Sequence, residues 1–232
     1  MARYVRLDNV AHRDLAVAKR YAAAHGDAVN QVLALPTEFE ALQREYPILF
    51  RRDPAADGAA GWYAVALLGF ARDENLFLRG DGTWDAHYVP AMRRRGPFAP
   101  GPADGDILVD LDDARVGADE AEPLFLRHGG VAPMLQRITG VLDVLRRGQA
   151  ASAPLYAAWE AAGLLAPARL DIDLGDGATV SIEDVFRVDE RQLAALRGEP
   201  LERLHHQGFL RAAHMAAASL DIVDRLIART LR

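Results

Sequence analysis

The sequence predicts an α+β fold in which an N-terminal antiparallel β-sheet region packs with C-terminal helices. Short runs of β-branched and aromatic residues, separated by Asp-Gly and Pro/Gly turns, fill the first half, as antiparallel strands require. In the second half apolar residues recur every three or four positions, the period of helices with one buried face. The 232 residues, 50% apolar and 26% charged, suffice for a large core and are too apolar for a disordered chain. The chain reads as one domain, 1–232, with a strand-rich half 1–130 and a helix-rich half 131–232.

Tyr4 to Leu7 reads as the first strand, and His12 to Ala24, built of good helix formers and ended by Gly26, as a helix. Gln31 to Leu35 is a strand before Pro36, after which Thr37 caps a short helix with Glu40 at the N3 position of a capping box. Strands follow at Tyr46–Arg51, Trp62–Phe70, Asn75–Arg79 and Ile107–Leu111. Asp73-Glu74 would join the second and third of these as a hairpin, with Gly80-Asp81-Gly82 as the turn beyond.

From Ala132 to Arg146, Leu135, Ile138, Leu142 and Leu145 give a helix with a buried face and an arginine-bearing face. Gly148 to Pro154 reads as a linker, and Leu155 to Leu165 as a second helix. Arg169–Leu174 and Thr179–Ile182 flank Gly175-Asp176-Gly177, a hairpin with a strong turn signal. Asp189 caps a short helix that Gly198 ends, and Gly208 to Leu231 forms a last amphipathic helix.

Composition removes several function classes. A net charge of −6 argues against nucleic acid as a partner, since phosphate neutralisation needs a basic surface. With no cysteine there is no disulfide, thiolate metal site or cysteine nucleophile. No apolar run reaches the roughly 18 residues of a membrane span. The charged N-terminus, Met1 to Asp8, lacks an apolar h-region, so a cytoplasmic location is expected. Lys19 is the only lysine in the chain.

The stretch Gly80 to Phe98 concentrates the functional signal. Arg93, Arg94 and Arg95 sit inside a frame of Trp84, Tyr88, Pro90, Pro97 and Phe98, which limits their conformations and fixes the guanidinium groups. Together with Asn75, Trp84 and Tyr88 they would rim a pocket for an anionic small molecule or a peptide carboxylate. The competing reading places Asp110 and Asp112 across the sheet from the arginines, as an internal salt-bridge element. The residues alone leave both open. The aromatic set from Tyr46 to Phe98 reads mainly as sheet core.

No catalytic or metal pattern competes. The seven histidines show no ligand spacing, and Asp85-Ala86-His87 reads as a solvent-facing turn. His205 and His206 are adjacent and point about 100° apart on a helix, so they do not readily share an ion. There is no Gly-x-Ser-x-Gly elbow or phosphate loop. The alternating acids Asp104 to Asp113 fit the solvated face of a strand with Ile107, Val109 and Leu111 inward. No cofactor is expected.

A family pattern runs in order through the chain: Glu38-Phe39 and Tyr46-Pro47-Ile48-Leu49-Phe50, then Leu67-Leu68-Gly69-Phe70 and Glu74 to Leu78. Gly82-x-Trp84, Tyr88-Val89-Pro90-Ala91, the arginine run with Pro97-Phe98, and Pro123-Leu124-Phe125 follow. Val188-Asp189-Glu190, Leu193, Leu196, Gly208-Phe209-Leu210, His214 and Ser219-Leu220 complete it. On these residues the chain resembles the SapC family. It departs at Gly96, where the family has an aromatic residue between the arginines and Pro-Phe, and at Arg127-His128-Gly129-Gly130. His87 lies where the family has no characteristic histidine.

The resemblance implies an accessory protein associated with bacterial surface-layer systems and attaches no reaction. It adds His214 to the candidate ligand-binding residues. The leading expectation is therefore a non-enzymatic cytoplasmic binding protein for a protein, peptide or anionic ligand of a surface or transport system. The alternative is a metal-dependent, oxygenase-like or hydrolytic enzyme assembled from distant residues such as Asp85, His87, Asp110 and His214. A third reading is a homo-oligomer joined through the exposed side of the last helix.

Overall fold

The computed structural model describes residues 3–56, 61–175 and 179–230. It is α+β: three antiparallel sheets packed with helices. The largest sheet has the order β3 (Gln31–Ala34), β5 (Trp62–Leu67), β4 (Ile48–Arg52), β10 (Thr179–Val188), β9 (Leu165–Asp173). The chain's second half thus contributes two of its five strands, so strands are not confined to residues 1–130. Phe186 of β10 stands opposite Phe50 of β4. A second sheet has the order β1 (Tyr4–Arg6), β7 (Ile107–Asp110), β6 (Phe98–Pro100), and β2 (Ala16–Val17) pairs with β8 (Glu122–Pro123).

Helix α3 (Pro133–Ala161) holds the sheets together. Its C-terminal half sends Leu155, Tyr156 and Trp159 into the main core, where Trp159 meets Phe50 edge-to-face at 5.5 Å. Its N-terminal half sends Leu135, Ile138, Leu142 and Leu145 into a second core with Phe98, Val109 and Leu124. Burial of both stripes keeps the helix continuous through the segment expected to be a linker. Pro154 removes one backbone donor inside it. A Cβ at Gly148 would lie 2.6 Å from Leu35 Cβ and 2.6 Å from Thr37 Oγ1, so that glycine marks a close crossing and not a flexible joint.

Other expectations are corrected by long-range pairing. His12–Ala24 is not a helix: Ala16-Val17 is drawn into the pair with β8, Val17 is fully buried, and only Ala23–His25 forms a 3₁₀ turn closed by Gly26 at φ +75°. Asn75–Arg79 is not a strand, because both edges of β5 are already occupied by β3 and β4. The turn beyond it does form, as a bridge between Leu78 and Trp84. Thr37 donates to the Val144 carbonyl instead of capping, while Glu38, not Glu40, reaches back to the Leu35 N–H at 3.3 Å before α1 (Phe39–Leu42).

Asp189 caps α4 (Glu190–Ala195) through the N–H groups of Arg191 and Gln192, as expected. Gly198, at φ +58°, opens α5 (Gly198–His206) instead of ending α4. The last helix is divided into α6 (Phe209–Ala218), a 3₁₀ turn Ser219–Ile222 and α7 (Val223–Thr230). The break falls where the buried Ser219 hydroxyl accepts from the Ile48 N–H at 2.9 Å and donates to the Ala216 carbonyl. Strands β9 and β10 form the expected hairpin, of whose turn Asp176 and Gly177 lie outside the described residues.

Candidate functional site

The loop from Gly82 to Val89 is one wall of a cleft, and it is held at both ends. Trp84 donates from its indole N–H to the Tyr46 hydroxyl at 2.8 Å, and Tyr46 donates to the Tyr88 carbonyl at 2.5 Å. Burial raises the Tyr46 hydroxyl well above the ordinary tyrosine range, so it stays a donor at any working pH. Glu45 accepts from the backbone N–H groups of His87 and Tyr88, both at 2.9 Å. Asp85 is gripped from α7 by Arg229 at 2.9 Å and by Arg79 at 2.8 Å, and the Arg229 hydrogen bond, ahead of other causes, lowers its pKa. The Arg229 guanidinium also lies 4.3 Å over the Phe77 ring.

Behind this wall the buried Glu38 carboxylate accepts from the Tyr88 hydroxyl at 2.9 Å and the Ala91 N–H at 2.7 Å. Burial pushes its pKa up, against the pull of those donors and of Arg94. Arg94, on α2 (Ala91–Arg94), donates to the Tyr88 hydroxyl at 2.8 Å and lies 4.5 Å over the Tyr88 ring. The order Glu38, Tyr88, Arg94 therefore sets one guanidinium at a fixed place on the cleft.

The three arginines diverge. Arg93 donates to the Gly26 carbonyl at 2.7 Å and lies 3.7 Å from the buried Asp27, whose pKa burial raises. Arg95 donates to the Phe98 carbonyl at 2.6 Å. The expected partners Asp110 and Asp112 instead bind Arg3, at its backbone N–H and its side chain respectively. Arg115, bound to Asp113 through two nitrogens, is nearly buried beside them. Its guanidinium lies 3.7 Å from where a Cβ would stand on Gly96, which has φ +56°. A gap of about 20 Å³ remains among Tyr21, Arg93, Arg94, Arg95 and Arg115, room for about one water.

The cleft itself encloses about 660 Å³, within the range of small-molecule sites. Trp84, Tyr88 and Arg94 line it, with Tyr21 edge-to-face on Trp84 at 5.3 Å. The opposite wall is α3, which presents Met134, Ile138, Val141 and Val144. Lys19 and Arg137 add two cations, and no Asp or Glu is among the lining residues described. Arg137 pairs with Glu122 outside the cleft, while no ion pair among the described residues involves Lys19. Gly140 also lines the cleft, and a Cβ there would meet nothing within 4 Å. A mid-helix glycine costs on the order of 1 kcal/mol relative to alanine.

Of the residues singled out in the sequence, the structure brings Trp84, Tyr88 and Arg94 together on the cleft. Arg93 and Arg95 turn away from it. Asn75 is occupied with backbone, donating to the Asp27 carbonyl at 2.7 Å and accepting from the Phe77 N–H. His214 is exposed on α6, away from the cleft. Asp85, His87, Asp110 and His214 do not converge: the first is bridged to arginines, and among the described residues no three His, Asp or Glu side chains gather as a metal site needs. Sequence reasoning missed Lys19, Tyr21, Gly140 and the α3 wall; the solitary lysine was the one local signal available.

No helix among the described residues is long and apolar enough to cross a membrane. No curated protein and no solved structure matches the chain. A family model described as SapC matches residues 7–226 of the 232, a span that includes both walls of the cleft, and the chain belongs to the SapC family.

Proposed function

We propose that the chain is a non-enzymatic binding protein whose cleft receives an anionic group of a small molecule, peptide or protein partner. The observation that carries this is the charge of the lining. Lys19, Arg94 and Arg137, the last also paired with Glu122 outside the cleft, stand around the cavity, and no carboxylate lines it among the described residues, in a chain whose net charge is −6. Such a site attracts an anion selectively, and the Arg94 guanidinium, already ordered on Tyr88, loses little freedom in binding one. The role in a bacterial surface or transport system, and the cytoplasmic location, belong to the same proposal and rest on the family and on the composition.

Native mass spectrometry of the chain taken from its source cells tests the binding function. One anionic ligand or partner per chain is expected, lost when Lys19→Gln and Arg94→Gln are combined. A stoichiometric transition metal and no such ligand would sink the proposal. Cell fractionation tests the location.

A further inference from the structure

Resting on that reading of the cleft, we propose that the bound group is a carboxylate carried on an apolar body, and that Gly140 determines how large a body enters. The cations stand between walls in which Thr83, His87 and Tyr88 supply polar groups and apolar surface makes up the larger part of the rest. On one side are the rings of Tyr21 and Trp84; on the other is α3, where Met134, Ile138 and Val141 are largely buried and Val144 is half-buried at the cavity. A small, strongly hydrated anion such as phosphate would leave that surface wet. An apolar body beneath a single charge covers it, and the hydrophobic contact adds to the ion pair.

Gly140 supplies an independent reason. It lies in the middle of α3, three residues from Arg137 and four from Val144, so the three share one helix face. Nothing in the fold asks for glycine there: its φ is not positive and a Cβ would touch nothing. At Gly148, eight residues on, crowding by Leu35 and Thr37 supplies the structural reason that Gly140 lacks. What the missing side chain provides at position 140 is open cleft beside Val141, bought at a loss of helix propensity. Arg94 would take the carboxylate, Lys19 would close over it from the exposed side, and the apolar body would lie along α3 across Gly140.

Calorimetric titration of the full chain with defined probes tests this. The probes are decanoate, decanol, an acetylated Val-Leu-Val peptide with a free C-terminus, its amide, and inorganic phosphate. Saturable one-to-one binding of decanoate or of the free-acid peptide is expected, and whichever binds identifies the source as a free acid or a chain terminus. Decanol or the amide should bind at least about tenfold more weakly, the effect of losing a charge-assisted hydrogen bond. Gly140→Leu should abolish binding while leaving the melting temperature unchanged or higher, because leucine favours the helix. Lys19→Gln, at an exposed position, should weaken it without affecting folding.

Acid binding that survives both Gly140→Leu and Lys19→Gln would overturn the proposal, as would equal affinity for decanol and decanoate. If phosphate alone saturates the protein and Arg94→Gln removes it, the anion-binding cleft stands and the apolar carboxylate falls. If no probe binds, and the native protein carries no anionic ligand, both fall.

Discussion

Gly148 on α3 faces Leu35 so closely that a Cβ on the glycine would stand 2.6 Å from that of the leucine. Helix propensity favours alanine at this position by about 1 kcal/mol, and packing opposes it. Because the obstacle includes a Cβ fixed to backbone, packing should win. Gly148→Ala is expected to destabilise the protein by about 1–3 kcal/mol, the usual cost of overpacking. The matched substitution Gly140→Ala should stabilise it by up to about 1 kcal/mol. Urea denaturation of the two variants measures both signs.

Ser219 links the helical layer to the large sheet. Its hydroxyl is the partner of the Ile48 N–H, and both residues are fully buried. Ser219→Ala leaves that donor unpaired away from water, so a loss of about 1–3 kcal/mol is expected. Hydrogen exchange should show faster opening of the Ile48 amide in the variant.

Arg229 holds the cleft wall from the C-terminal side. It contributes two hydrogen bonds to Asp85 and a stacking contact on Phe77, all partly exposed, so Arg229→Ala should cost only about 1 kcal/mol. Its larger consequence should be local: faster amide exchange from Arg79 to His87 and weaker ligand binding. Because the pKa of Asp85 is lowered, this contribution is present above the ordinary carboxylate range and lost as pH falls through the lowered value.

Glu38 should show the opposite pH dependence. Its folded-state pKa is raised, first by burial, so its contribution is fully present below its ordinary value of 4.5 and lost as pH rises through the raised one. Glu38→Gln removes this titration. The melting temperature of the variant relative to the wild type should therefore increase from pH 4 to pH 7. A difference that is flat or decreases with pH would show that the carboxyl is not held above its ordinary range.

Much of the fold was legible because it is written in local patterns. The alternation of Ile107, Val109 and Leu111, the repeat of Leu135, Ile138, Leu142 and Leu145, and the Asp189 cap each require only neighbouring residues, and each appears where expected. Errors came where distant segments compete for the same backbone. His12–Ala24 has helical composition, yet pairing with Glu122-Pro123 and burial of Val17 outweigh propensities of a few tenths of a kcal/mol per residue. Gly148 and Pro154 have the composition of a linker, and two cores on one helix override it.

By itself the sequence determined the α+β class, the family and the absence of cysteine chemistry, and it marked the stretch from Trp84 to Arg95 from which Trp84, Tyr88 and Arg94 line the cleft. Only the tertiary structure decided that Arg93 and Arg95 turn away from the cleft, that Glu38 stands behind Tyr88 at a separation of 50 residues, and that Arg229 grips Asp85 across 144. It also decided that a lone lysine and an unneeded glycine share a cavity. The division has a physical reason. Periodicity and capping act over one or two turns of chain, whereas a cleft is made by surfaces whose meeting depends on how the whole core packs.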